Sequence, residues 1–212
     1  MTTVLLTGFE PFAGDAVNPS GQAVEALAAQ WAGPATLVTE VLPVTFAGAA
    51  ARLRELIAAH SPDVILATGL AGGRPGIAVE RVAINLADAR IADNSGHQPL
   101  DEPCVDGAAT AHFATLPVKA IQRDIAATGI PAVVSHTAGT FVCNHVFFHA
   151  LEAADASTRA GFIHVPWASG QAPAGQPDLP LSDIVTALEI AIRTTLDAVP
   201  GADAPTVGGT LH

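Results

Sequence analysis

Short apolar runs that stop at turn residues alternate with stretches at helical spacing along the whole chain. This alternation constrains the fold more than any other feature. Val4 to Thr7 reads as a strand, followed by a loop with Pro11, Gly14, Asn18 and Pro19. Ser20 is placed to cap a helix carrying Val24, Leu27 and Trp31 on one face. Leu37 to Leu42 reads as a second strand, and Thr45 as the cap of a helix in which Phe46, Ala49, Leu53, Leu56 and Ile57 recur. Val64 to Thr68 has the character of a buried strand ending at Gly69, Ile77 to Leu86 reads as extended, and Asp93 to Asp106 as a polar loop. Pro117 suits the first turn of a helix through Val118, Ile121 and Ile125, with Gly129 placed to end it. Ala132 to Ser135 and Phe162 to Val165 are further strands, and Asn144 to Leu151 and Leu181 to Leu196 further helices. The pattern predicts an α/β chain: a three-layer α/β/α sandwich with helices on both faces of a largely parallel, twisted sheet.

Composition narrows the class of partner. At about 150 residues per domain, 212 residues favour one domain, taken as residues 1–198. Residues 199–212, rich in Gly, Ala and Pro, are expected to form a loose tail. Half the residues are apolar, enough for one sizeable core. Nine Lys and Arg against twenty Asp and Glu give a net charge of −11, with no basic run, so a nucleic-acid backbone is not an expected partner. No stretch approaches the roughly 18 apolar residues of a membrane span. The opening residues Met1 to Gly8 lack a basic segment and read as a strand, not a signal peptide. Cys104 and Cys143 form neither a CxxC motif nor a disulfide framework, which points to reduced thiols and a cytoplasmic location.

Three residues could carry chemistry. Cys143 follows a strand and the turn residue Gly139 and opens a predicted helix, where free N–H groups and the helix dipole favour a thiolate. Its other reading is a small core hydrophobe. His164 ends an apolar run, at the kind of strand end where ligands gather in α/β sheets; it could equally be a core histidine bonded to backbone. Glu80 falls, by period-2 alternation, on the face of Val82, Ile84 and Leu86, where a carboxylate needs a partner: the histidine or a structural arginine. His145 and His149 share a helix face, but no third ligand is placed near them, so no metal is expected. The glycines from Gly69 to Gly76 lack the Gly-Lys-Ser/Thr of a phosphate loop and read as sites of close backbone approach or positive φ.

Leu6 to Phe12 with Asn18-Pro19-Ser20, Gly69 to Arg74, Val79 to Asn85 with Asp88 to Ile91, Ser135 with Gly139 to Asn144, and Phe162 to Pro166 together resemble the pyroglutamyl peptidase I family. The resemblance runs in order over roughly residues 4 to 198. It implies a cysteine peptidase that removes N-terminal pyroglutamate, with Cys143 as nucleophile, His164 as base and Glu80 orienting the histidine. It also implies a substrate pocket of Phe9, Phe12, Asn18, Leu70, Phe141 and Val142, and an oxyanion site at Arg90 and the Cys143 backbone. No cofactor is implied, and a homotetramer is. The chain departs at Leu70, where many bacterial members carry Gln, and at Ala92, where Pro is common. A phosphorolytic nucleoside enzyme and a non-catalytic binder of cyclic amides are the competing classes. The first would need clustered cations as phosphate ligands, and the second no activated thiol.

Overall fold

The computed structural model describes residues 2–199, 201–205 and 207–209. Its main sheet has six strands in the order β2 (Thr36–Leu42), β1 (Thr3–Phe9), β3 (Val64–Leu70), β8 (Arg159–Val165), β4 (Ile77–Glu80) and β7 (Ala132–Ser135). All neighbours are parallel except β4 and β8. Helix α2 (Phe46–His60) packs against α4 (Val142–Ala153) on one face. On the other face α5 (Leu181–Asp197) packs against both α1 (Pro19–Gln30) and α3 (Val118–Ala126). This is the expected three-layer arrangement. β1, β3 and β8 are almost wholly buried, as parallel strands covered on both faces must be.

Several local expectations are corrected by long-range contacts. The segment 77–86 is not one strand. It breaks at Arg81, whose N–H donates to Ser135 O and whose carbonyl accepts from Ala114 N. β4 stays in the main sheet, while β5 (Val82–Ile84) pairs with β6 (Ala111–Phe113), a strand the pattern did not suggest. Glu80 therefore does not share a strand face with Val82 and Ile84; it ends a strand in which all four residues are buried. Two short strands, β9 (Trp167–Ala168) and β10 (Asp178–Leu179), complete the set.

The helix caps also differ. Asn18, not Ser20, caps α1 through its side-chain oxygen, and the Ser20 hydroxyl accepts from Phe9 N and donates to Asn18. Thr45 precedes α2 but makes no side-chain cap; Asp93, 47 residues away, accepts from Phe46 N instead. Hydrogen bonds from Ser95 and from Phe46 and His97 N–H hold the Asp93 carboxyl below the usual carboxylate range, against the opposing effect of burial. Within the stretch read as a tail, Asp203 accepts from Lys119 N and Ala120 N at the start of α3 and lies 3.9 Å from Arg81. Pro200, Thr206 and 210–212 lie outside the described residues.

Candidate active site

The site forms where the C-terminal ends of β3 and β8 meet the N-terminus of α4, with the antiparallel β4 running beside β8. Register pairs Gly69 with His164 across β3 and β8, and Ala78 with His164 across β4 and β8. The side chain of Glu80 then reaches His164, with Oε1 2.8 Å from Nδ1. Both residues are buried, Glu80 completely. His164 is drawn in two directions. Burial disfavours its charged ring, but Cys143 and Glu80 together favour it more, and the balance lifts the imidazole to about 9.

Cys143 enters from the opposite element. Phe141 is the N-cap of α4, so Cys143 lies in the first turn, where backbone N–H groups have no intrahelical acceptor. The sequence placed this cysteine at a helix start; the helix begins two residues earlier than expected, at Val142. Its sulfur packs directly over Gly69. A Cβ built there would lie 2.8 Å from Sγ and 3.0 Å from Phe162 Cζ, so only glycine lets strand and nucleophile approach this closely. Asn144, fully buried, ties the same helix turn to the chain after Glu80. Its Oδ1 accepts from Ile84 N, and its Nδ2 donates to the carbonyls of Ile84 and Leu86.

Beside Cys143 lies a cavity of about 90 Å³ lined by Phe9, Phe12, Asn18, Leu70, Phe141 and Val142, together with Asp15, Val17 and Val44. The first six are the residues expected of a substrate pocket. The last three come from loops whose approach depends on tertiary contacts. Phe12 and Phe141 stack at 5.1 Å, and Phe46 supports Phe141 edge-on at 5.3 Å. Glu10 fastens the surrounding loops, since its Oε1 accepts from Val44 N and from Asn94 Nδ2. Polar groups in and beside the cavity are partly occupied. Asn18 spends its oxygen on Ser20 and its amide nitrogen on the Glu10 carbonyl, and Ala71 N–H donates to Val165 O.

Arg90 is exposed and outside the cavity lining. Two hydrogen bonds between Asp88 and Thr140 bring its segment beside the turn that leads to Cys143. His145 and His149 meet edge-on at 4.5 Å, and His145 also packs edge-on against Phe46. Burial, aided by the repulsion of His149, Arg54 and His97, pushes His145 down to about 3. The described residues hold no cluster of three metal-ligating side chains. A larger hollow, of about 380 Å³ between α3, α5 and the chain after it, shares no residue with the site.

The pyroglutamyl peptidase family model matches residues 2–198. A pyrrolidone-carboxylate peptidase of Cupriavidus necator is 49% identical over the full length of both chains. One from Clavibacter michiganensis is 49% identical over 92% of this chain and 93% of its own. Among solved structures, pyroglutamyl peptidase I from Bacillus amyloliquefaciens superposes with a TM-score of 0.92 at 45% identity, covering 97% of this chain and 99% of that one. Pyrrolidone carboxyl peptidase from Thermococcus litoralis superposes at 0.89 with 39% identity, covering 93% and 94%.

Proposed function

The chain belongs to the pyroglutamyl peptidase family of cysteine-type omega peptidases, and we propose that it removes N-terminal pyroglutamate through Cys143, His164 and Glu80. The observation that carries this reading is the buried 2.8 Å contact of His164 Nδ1 with Glu80, on a ring that also faces Cys143. With Nδ1 committed to Glu80, Nε2 is left to take the Cys143 proton. The sulfur attacks the pyroglutamyl carbonyl, and the oxyanion forms against backbone N–H groups of the first turn of α4. His164 then protonates the leaving amine, which departs and leaves a thioester. Water, deprotonated by the same ring, hydrolyses the thioester and restores the thiol. Glu80 holds the ring in one tautomer and stabilises the imidazolium. Arg90 lies near the turn but exposed, so the backbone carries the oxyanion in this reading and Arg90 assists only by turning inward.

The cavity suits the substrate class. Pyroglutamate is a lactam without an ammonium group, so a pocket for it needs apolar walls more than charges, and Phe9, Phe12, Leu70, Phe141 and Val142 supply them. The same reading extends to pyroglutamyl peptides as the partner, without cofactor, and to a homotetramer in the cytoplasm. Among the described residues no helix is long and apolar enough to cross a membrane. A fluorogenic pyroglutamyl amide tests the activity against the matching prolyl amide, which lacks the ring carbonyl. Hydrolysis of the first and rejection of the second is the expected result; equal turnover of both, or of neither, would overturn it.

A further inference from the structure

Glu80 poses an electrostatic problem that the proposed triad alone does not solve. Its side chain is fully buried, yet Oε1 bonds only to His164 and Oε2 has no hydrogen-bond partner among the described residues. A buried carboxylate with so little compensation is costly unless a cation stands close by. Arg74 is that cation. Its Nη2 lies 3.6 Å from Glu80 Oε1, and the same nitrogen donates to the Thr137 carbonyl at 3.2 Å.

Both contacts point at the chemistry. Glu80 and Ser135 are register partners at the ends of β4 and β7, and the Ser135 hydroxyl also donates to Thr137 O. The Thr137 carbonyl thus begins the turn 136–141, which ends on the cavity wall Phe141 and delivers Cys143. Arg74 itself hangs from the turn after β3, where Gly73 has φ +84° and Arg74 N donates to Ala71 O. That turn directly continues the strand end bearing Gly69, under the sulfur, and Leu70. One guanidinium therefore touches the carboxylate that orients the base and the turn that sets the nucleophile. The side chain is about one-third exposed, so it reaches this point from the surface without being buried itself.

We propose that Arg74 is a positioning residue for the hydrolysis. It holds Glu80 aimed at His164, and it fixes the turn before Cys143 to the same point. This rests on the Cys143–His164–Glu80 reading. Arg74 acts through its charge and through the reach of the one nitrogen, Nη2, that meets both Glu80 and Thr137, and the two effects separate experimentally. A positive charge near the site favours the deprotonated form of every neighbouring group. The charged and titratable groups around this point are Glu80 on β4, which Arg74 contacts, His164 on β8 and Cys143 on α4 beyond it, and the exposed His136 next to Thr137 in the turn. Removing the cation should therefore move both limbs of the pH profile to higher pH.

The test compares wild type, Arg74→Met and Arg74→Lys on a fluorogenic pyroglutamyl amide, with rates normalised to the thiol titrated by iodoacetamide. For Arg74→Met we expect kcat to fall by about 10- to 100-fold with KM within about threefold, and the kcat/KM profile to shift up by about half a pH unit or more. Arg74→Lys should keep the wild-type pH limbs, because the charge remains, yet lose part of kcat, because the shorter lysine ammonium falls short of the point where Nη2 meets both Glu80 and Thr137. A folded Arg74→Met with wild-type kcat and pH limbs would overturn the proposal. If Arg74→Met fails to fold, Arg74→Lys decides alone: wild-type kcat per titrated thiol overturns the proposal, and a reduced kcat with unchanged KM and limbs supports it. Failure of the triad itself would show differently, as activity surviving in Cys143→Ser.

Discussion

Replacing Gly69 by alanine should disable the site while leaving the fold standing. The added methyl would sit 2.8 Å from Cys143 Sγ and 3.0 Å from Phe162 Cζ. Ordinary contact between such atoms begins at about 3.5–4.0 Å, so roughly 1 Å must be found somewhere. The strand cannot retreat, because Gly69 is held in register with His164. Phe162 is buried against Phe147 and the His164 ring and has no space behind it. The sulfur, at the tip of a partly exposed side chain, is the group that moves. A displacement of about 1 Å at a reacting atom costs roughly 100-fold in rate, or about 2.7 kcal/mol of barrier. Residual overpacking should cost about 1–3 kcal/mol of stability, each kcal/mol lowering Tm by about 2–4 °C for a chain of this length. The assay is kcat/KM on a pyroglutamyl amide, paired with a thermal melt and the rate of Cys143 alkylation. A Gly69→Ala enzyme within about threefold of wild type in kcat/KM, with unchanged Tm, would show that the close approach of strand and sulfur has no mechanistic weight.

Further outcomes follow from the buried pair. Glu80→Gln should lower kcat much more than it raises KM, because the amide can still hydrogen-bond to His164 but cannot stabilise the imidazolium; steady-state kinetics across pH checks this. His164 is lifted from 6.5 to about 9 in the fold, so its contribution to stability is complete below about pH 6.5 and is lost as pH rises through 9. Urea midpoints between pH 6 and 10 should therefore fall more steeply for wild type than for Glu80→Gln.

The sequence carried most of the architecture because hydrophobic patterning is local. Ala132–Ser135 was legible as a strand from its own residues, and so was the helix after Pro117. What escaped depends on partners far along the chain. The break at Arg81 exists because its N–H and carbonyl bond to Ser135 and Ala114, 54 and 33 residues away, and no local period records that. Asp93 replaces Thr45 as the donor's partner at α2 for the same reason. At the site, Cys143, His164 and Glu80 were each ambiguous when taken alone, and the ordered motifs of the resemblance brought them together. Arg74 was visible only as part of a motif. Its role depends on Thr137 and Glu80 meeting at one guanidinium nitrogen, a juxtaposition that β4–β7 pairing creates. Gly69 could be read as a place of close approach, but not that a sulfur is what approaches.

The account stands on which thiol does the work, and the two cysteines differ sharply. Cys104 is buried, its thiol pushed up to about 11 by burial; it lies 3.7 Å from the Ile84 carbonyl and accepts from Asn144 Nδ2 at 3.9 Å, with no base beside it among these contacts. Cys143 is partly exposed, borders the cavity and faces the histidine that Glu80 holds. The direct measurement is hydrolysis of a fluorogenic pyroglutamyl amide by wild type, Cys143→Ser and Cys104→Ser at equal folded concentration. The account predicts that Cys143→Ser loses all detectable turnover while Cys104→Ser keeps most of it. Turnover surviving in Cys143→Ser, or vanishing in a folded Cys104→Ser, would contradict it.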